Sequence, residues 1–433
     1  MSFFFVRSMN MKNLIILFFL TFPMFGFGQG FQNNKEPKTN IEQAWKYVWI
    51  RFYHPKTQLF YDYISSYKKG KELSHLPKAA EVKEQYPNFC GYGTGMEDCM
   101  ILSGTMLSTI IDKYETTKVI SLRTDAANVF KGIKRASYIP EYPGFVARGV
   151  CTEDGKSVYY NSSRDQYTHC VYGLWYYYHS SLCNRNQKRE IRDIISKIAD
   201  RMFDNVTPAN NYDFLRADGK VCPLGICKMW NVQSHEAARL PMFYAAAWDI
   251  TGKKKYYNMY KTYIYDAIEQ SEKIGDNYSG YVYVQLLYSY DLLYRVEKDA
   301  MLRERLKKLM FRVETMALVR ANACKEELFS KNETELSLLG PDWRCVKDWN
   351  MQKGYRIPTW GEYRKIWSLI REAGESLLVS FMVNNPATET EKEKLLDDIV
   401  SYMNYSRISS CGIVFHIAAY WKAQEIKRSI RIN

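Results

Sequence analysis

Val282-Tyr-Val-Gln-Leu-Leu-Tyr-Ser-Tyr-Asp-Leu-Leu-Tyr294 is apolar or aromatic on nearly every side of a helical wheel. Shortly after it, Met301-Leu-Arg-Glu-Arg-Leu-Lys-Lys-Leu309 is apolar along one stripe and charged elsewhere. A helix that is apolar all round is buried on all sides, whereas one with a single apolar stripe lies on the outside of a fold. The two segments therefore read as an inner and an outer helix of one hairpin. Outward from this hairpin, helical periodicity predicts further helices over 41–52, 96–114, 121–137, 166–181, 188–203, 234–250, 253–271, 362–383, 389–405 and 412–426. With 279–296 and 300–319 that makes about twelve. In the first, Trp45, Trp49 and Phe52 share a stripe behind Asn40 as cap. Gly252 is a stop signal between two of the others. Twelve helices of similar length in six hairpins predict an all-α fold, an (α/α)6 toroid; an irregular helical bundle or a solenoid is the alternative. No exact repeat is present, so the hairpins share a plan and not a sequence. The stretch 141–161 has too many turn and β-branched residues for helix. It reads as a long loop with a short hairpin across Glu153-Asp-Gly155, and long loops in compact folds often carry function.

The N-terminus predicts a compartment. Arg7 and Lys12 are the only charges before Lys35, and an apolar run from Leu14 follows them, ending at Gly26-Phe-Gly28. This is the pattern of a signal peptide cleaved before Gln29, and it is too short for a permanent span. Residues 1–28 are thus expected to be a signal peptide and 29–433 one domain, since no Pro/Gly/Ser linker divides the chain. The absence of a Cys after the apolar run argues against a lipid anchor, so the expected location is periplasmic or secreted. The formal charge is +13, with bases and acids interleaved along the chain. Nucleic acid is excluded as a partner by export and by the lack of a basic cluster; a polyanionic glycan fits better. No later segment is apolar enough to span a membrane. Ten cysteines in an oxidising compartment suggest disulfides or buried thiols. Cys90/Cys99 and Cys222/Cys227 each bracket a short loop. Neither pair has zinc-site spacing, so no metal and no cofactor is expected. Cys170 and His416 sit in apolar helices and read as core.

Three clusters carry candidate chemistry. In the first, Gly91-Tyr-Gly-Thr-Gly-Met-Glu97-Asp98 delivers two adjacent carboxylates to the start of an apolar helix. Acids at a helix N-terminus are stabilised by unpaired amides whether or not they do chemistry, but an inner helix would turn them into a cleft. The second holds Arg148, then Asn161-Ser-Ser-Arg164-Asp165-Gln166-Tyr167-Thr-His169, ahead of an aromatic helix. Asp165 and His169 share a helical face. Aromatic faces stack on sugar rings while carboxylates, amides and guanidinium groups bond hydroxyls, so this mixture suits a glycan. The third is Trp230-Asn231-Val-Gln-Ser-His235-Glu236-Ala-Ala-Arg239, with Ser234 as a cap. It has no second His at metal spacing. Trp343, in the Trp-rich loop 342–350, reads as a rim of the cleft. Glu362 with Arg364, and Arg371 with Glu372 and Glu375, have helical ion-pair spacing.

Two of these stretches resemble the unsaturated glucuronyl hydrolases and their relatives, exported (α/α)6-barrel enzymes of glycan-degrading bacteria. In that family an acid before an apolar inner helix precedes a second catalytic Asp near a Ser-Arg-Gly-Gln motif. Glu97-Asp98-Cys-Met-Ile-Leu resembles the first element. Ser163-Arg164-Asp165-Gln166-Tyr167 resembles the second, and Asp165 lies 67 residues after Asp98. This chain carries Asp165 where the motif carries Gly. The resemblance covers about a quarter of the chain. It implies a glycoside hydrolase acting on a glycan with a uronic acid. Asp165 would serve as general acid/base, Asp98 or Glu97 as second carboxylate, and Arg148, Arg164 and His235 would hold a substrate carboxylate. A polysaccharide lyase is the alternative, with Asn231, His235, Tyr167 or Tyr244 and Arg239 serving β-elimination. A non-catalytic glycan-binding protein would keep the aromatic cleft alone.

Overall fold

The computed structural model of the protein describes residues 36–432; the expected signal peptide lies outside the described residues. Fourteen α-helices account for the fold: α1 Pro37–Tyr47, α2 Ala79–Lys83, α3 Cys99–Thr117, α4 Leu122–Ser137, α5 Arg164–His179, α6 Arg185–Asn205, α7 Arg239–Thr251, α8 Lys254–Ser271, α9 Gly280–Val296, α10 Ala300–Phe329, α11 Glu333–Leu336, α12 Glu362–Phe381, α13 Glu389–Tyr402 and α14 Ile413–Ile432. The only sheet among the described residues is two small antiparallel hairpins, β1 Tyr53–His54 with β2 Leu59–Phe60, and β3 Trp349–Gln352 with β4 Tyr355–Pro358. The twelve long helices are the twelve the periodicity predicts, and α2 and α11 are single turns inside loops.

The architecture is a closed double ring. Helices α3, α5, α7, α9, α12 and α14 each pack on the next, and α14 returns to α3. Outside them α4 packs on α3, α6 on α5, α8 on α7, α10 on α9, α13 on α12 and α1 on α14. The protein is therefore an (α/α)6 toroid. Inner and outer positions follow from side-chain pattern: Val282, Val284, Leu286, Leu287, Leu292 and Leu293 of α9 are buried on several faces, whereas α10 buries Leu302, Leu306 and Leu309 and exposes the charges between them. The ring is closed across the chain's two ends, where the buried Asn40 amide of α1 donates to the Val400 carbonyl at 3.0 Å. Where α3 crosses α5 the backbones nearly touch. A Cβ on Gly104 would lie 2.3 Å from the His169 carbonyl oxygen, so this crossing accepts no side chain.

Several boundaries move for identifiable reasons. The expected helix 234–250 is a 3-10 turn over Ser234–Glu236 followed by α7 from Arg239. Pro241 has no N–H to donate and fits only the first turn, which sets the start of α7. Ser234 consequently lies inside the 3-10 turn and is not the cap; Gln233 and Glu236 bond reciprocally there instead. The segment 48–52 leaves the α-helix as a single π turn. Asn40, expected as the cap of the first helix, lies inside α1, which starts three residues earlier at Pro37, a residue suited to the first helical position. Ser163 accepts the Gln166 amide at 3.5 Å to cap α5, and Gly252 ends α7 in the left-handed region at φ 69°. The loop 138–163 is irregular as expected, with a turn at Gly155 whose amide bonds the Cys151 carbonyl at 2.9 Å. No helix among the described residues is long and apolar enough to cross a membrane.

Candidate active site at the N-terminal mouth of the ring

Five of the six inner helices begin at the same mouth. Asp98 caps α3, Asp165 and Gln166 open α5, Arg239 opens α7, Gly280 opens α9 and Gly412 precedes α14. Only α12 begins higher, reaching the mouth at Arg371, its tenth residue. Five N-termini aimed at one place gather unpaired amides and positive dipole ends, which favour negative charge there.

Carboxylates occupy that place. Asp62, from the segment after β2, is 1% exposed and accepts the amides of Glu97 at 3.1 Å and Asp98 at 3.2 Å. It thereby holds the turn that aims both acids. The loop before them is shaped by glycine: Gly93 has φ 83° and a Cβ there would meet Pro358 at 2.3 Å, while the Glu97 carboxylate accepts the Gly93 amide. Asp98 is shared between two cations, Arg371 at 2.5 Å and Arg148 at 3.7 Å, and also accepts the Gln166 amide at 2.9 Å. Arg371 donates in turn to Glu375 at 2.7 Å. Across the mouth Asp165 pairs with Arg239, and Arg164 pairs with Glu236 while its other nitrogen donates to the carbonyls of Gly225 and Lys228.

The two sides of this network differ in protonation. Burial, and then the neighbouring Asp98, push the Glu97 carboxyl up to about 7. Burial raises Glu375 to about 7 as well, against the opposing pull of Arg371. Asp62 is driven well above the usual carboxylate range by burial and by its two acidic neighbours. Asp165 goes the other way: burial works against its charge, but Arg239, with Arg164 and Arg148 behind it, holds it below the usual range. Carboxyls pushed up and a carboxyl held down thus stand at one mouth, set by the balance between burial and the guanidinium groups around each.

Of the sequence candidates, Glu97, Asp98, Arg148, Gln166, Asp165 and Arg239 come together, with Arg164, His235 and Glu236 beside them. Arg148 donates to the Glu97 carbonyl at 3.1 Å and to the Tyr92 hydroxyl at 3.0 Å. His235 is half-buried; burial lowers its pKa, its Nδ1 has no partner, and its ring meets Tyr278 at 4.7 Å. His169 lies deeper, bonded to Thr105 at 3.0 Å, and burial lowers it to about 3, so it is neutral. Other candidates stand apart. The Tyr167 hydroxyl bridges Val146 and Gly144 in the loop wall. Trp230 packs on Tyr263 at 4.7 Å, and Asn231 is exposed in the left-handed region at φ 53°. Trp343 is wholly buried, its indole donating to the His75 carbonyl at 2.9 Å. Trp360 and Trp367, 5.4 Å apart with Arg364 over the Trp367 ring at 4.5 Å, are buried as well, in a small aromatic cluster with Tyr63 and Tyr363. Asp62, Trp360 and Trp367 are not foreseen in sequence, and Arg371 is foreseen only as an ion-pair residue of its own helix. Among the described residues no group of three or more His, Cys, Asp or Glu side chains is arranged to hold a metal ion.

No described protein family matches the sequence, and no curated protein does. Solved structures do resemble it. A sugar epimerase from a ruminal bacterium superposes over 90% of this chain and 98% of its own, with a TM-score of 0.51 and 12% identity. The likeness is one of fold. Cellobiose 2-epimerase from Spirochaeta thermophila matches at a TM-score of 0.45 and 12% identity over 91% of this chain and 98% of that one. A family 76 glycoside hydrolase from a bovine Bacteroides thetaiotaomicron strain matches at 0.45 and 12% over 92% and 78%.

Proposed function

We propose that this protein is a carbohydrate-active enzyme, a glycoside hydrolase acting on an oligosaccharide that contains a uronic acid. The observation that carries the reading is the joined pair of carboxylate–guanidinium contacts, Asp98–Arg371 and Asp165–Arg239, with Gln166 reaching from the first turn of α5 to Asp98. Glycoside hydrolysis needs one carboxyl that keeps its proton and one that does not. Glu97, near pH 7, is the proton-holding member, and Asp165, ionised and about one-third exposed, is the member that takes a proton from water or stabilises positive charge on the sugar ring. Arg148, Arg239 and the convergent helix N-termini suit a uronate carboxylate. A sugar substrate also agrees with the sugar epimerase that shares the fold.

A second reading rests on His235. Its unpartnered, neutral imidazole beside Glu236 and Arg239 is a base of the kind that removes a proton next to a carboxylate, the first step of β-elimination. The discriminating experiment is ultraviolet absorbance over time with purified protein and uronic-acid oligosaccharides, including unsaturated ones, alongside a reducing-end assay. Loss of the unsaturated-uronate band, or new reducing ends without a new band, abolished in Asp165→Asn, is the expected result. A growing band abolished in His235→Ala transfers the chemistry to elimination. Neither signal, together with measurable binding of the same oligosaccharides, makes this a binding protein and sinks the hydrolase reading.

We infer also that residues 1–28 direct export and are removed, leaving 29–433 as one domain in the periplasm or outside the cell. N-terminal sequencing of the protein from those fractions is expected to begin at Gln29. An intact Met1 there would overturn this.

A further inference from the structure

Three cysteines from two loops meet around one side chain. The Asn161 amide nitrogen lies 3.1 Å from the Cys90 sulfur and 3.0 Å from the Cys222 sulfur, and the Cys227 thiol donates to the Asn161 amide oxygen at 3.3 Å. One primary amide is small, so all three sulfurs are gathered within its reach. The Cys222 and Cys227 sulfurs thus lie against the two polar atoms of the same amide group. Their loop is tightly turned: the Gly225 amide bonds the Cys222 carbonyl at 3.1 Å, and Asp213 accepts the Cys222 amide at 3.4 Å. Cys90 and Cys99, which bracket one loop in sequence, are separated, since Cys99 faces Asp62 and Cys411 instead.

The three thiols are not equivalent. The neighbouring Cys227 thiol outweighs burial at Cys222 and lowers it to about 6, whereas burial pushes Cys90 up to about 12 and raises Cys227 well above the usual thiol range. The thiolate is the nucleophile in disulfide exchange. Cys222 therefore attacks and Cys227 resolves. Cys222 itself is 2% exposed, but its neighbours Val221, Pro223 and Gly225 are exposed, so opening of this one turn admits a reagent.

We propose that Cys222 and Cys227 are a redox-active pair that closes to a disulfide and fixes the wall of the mouth. The Cys222 thiolate attacks one sulfur of a small-molecule or protein disulfide, RSSR, and releases RS⁻. Cys227 then loses its proton and attacks the Cys222 sulfur, releasing the second RS⁻. Two protein thiols are oxidised, one RSSR is reduced to two RSH, and a Cys222–Cys227 bond results. The consequence reaches the site because the bridged loop supplies the Gly225 and Lys228 carbonyls that hold Arg164, 2.8 and 2.7 Å from its guanidinium, next to Asp165. Cys90, at the root of the loop that ends in Glu97, stays a thiol bonded to Asn161.

The proposal is independent of which reaction the mouth performs. Its test is mass spectrometry of the native full chain, reduced and then exposed to oxidised glutathione, with free thiols alkylated after denaturation. The expected result is loss of two alkylatable thiols and a peptide link mapping to Cys222–Cys227. Cys227→Ser should trap a glutathione adduct on Cys222, and Cys222→Ser should leave Cys227 unmodified. Retention of all ten thiols under these conditions, or a first link mapping to any other pair, overturns the proposal. The wild-type measurement requires no variant to fold.

Discussion

The two ends of the inner ring use the same residue types to opposite effect. Towards the C-terminal ends of α3, α5 and α9, Asp112 pairs with Lys422 of α14 at 2.7 Å and accepts the Tyr176 hydroxyl at 2.9 Å. Asp291 pairs with Arg295 at 2.9 Å and accepts Tyr172 at 2.8 Å. Tyr172 stacks on Tyr288 with centroids 4.0 Å apart, and a cavity of water-molecule size lies between them and Lys422. Each acid at this floor has its own cation and its own tyrosine. At the mouth Asp98 and Glu375 share Arg371, Asp98 also meets Arg148, and among the described residues neither Asp62 nor the Glu97 carboxylate has a cation in direct contact. Unpartnered buried polar atoms also gather at the mouth, on Arg148, Arg164, Gln166, His235 and Arg239, whereas none of the floor's paired residues has one among the described residues. A satisfied buried network specifies structure, and an incompletely satisfied one beside solvent is where a ligand gains most. The comparison assigns the floor to folding and the mouth to function.

Substitutions can break or sharpen that contrast. The largest effect expected is on activity: Asp165→Asn should lower kcat/KM by ~10²–10⁴-fold on whichever uronic-acid oligosaccharide proves to be turned over. Its unfolding midpoint should stay close to that of the parent protein. A variant that loses stability instead would place Asp165 with the floor. Next comes Lys422→Met, which leaves Asp112 charged and unpaired in the interior. Such a loss costs about 3–5 kcal/mol, read by denaturant unfolding, with activity per folded molecule retained. Loss of activity in a fully folded Lys422→Met protein would contradict the division.

The mouth should also leave its mark on the pH dependence of stability. Glu97 and Glu375 have folded pKa values near 7, above the ordinary value of 4.5. Between about 4.5 and 7 the folded state therefore binds more protons than the unfolded one, so stability falls as pH rises through that window. Each group contributes at most about 1.4 kcal/mol per pH unit. Glu97→Gln or Glu375→Gln should flatten the slope, measured as unfolding free energy against pH; an unchanged slope would mean that these carboxyls are ionised in the fold. The smallest effect is expected from Trp343→Phe. It removes one buried hydrogen bond to the His75 carbonyl, about 1 kcal/mol by thermal or denaturant unfolding, and should leave turnover unchanged. A turnover defect would return Trp343 to the rim.

Much of this was legible before any coordinates. Inner helices are apolar all round because both their faces are covered, and that pattern survives in a single sequence, as α9 against α10 illustrates. Caps are local, so Ser163 and Gly252 could be read directly. The Gly-rich approach to Glu97-Asp98 was legible for the same reason, since left-handed turns favour glycine. The Arg371–Glu375 pair was visible as i,i+4 spacing.

What the sequence could not contain was the set of partners made by ring closure. Asp62 sits in a segment of no distinctive pattern, and its meaning comes from two amides some 35 residues away. Arg371 meets Asp98 across 273 residues, and Cys90 joins Cys222 through Asn161 and not its sequence neighbour Cys99. Sequence periodicity is set by local backbone geometry and by burial, which every residue of a helix reports. Protonation and pairing are set by the few charged groups that the closed ring brings within contact distance, and only the tertiary structure decides which those are.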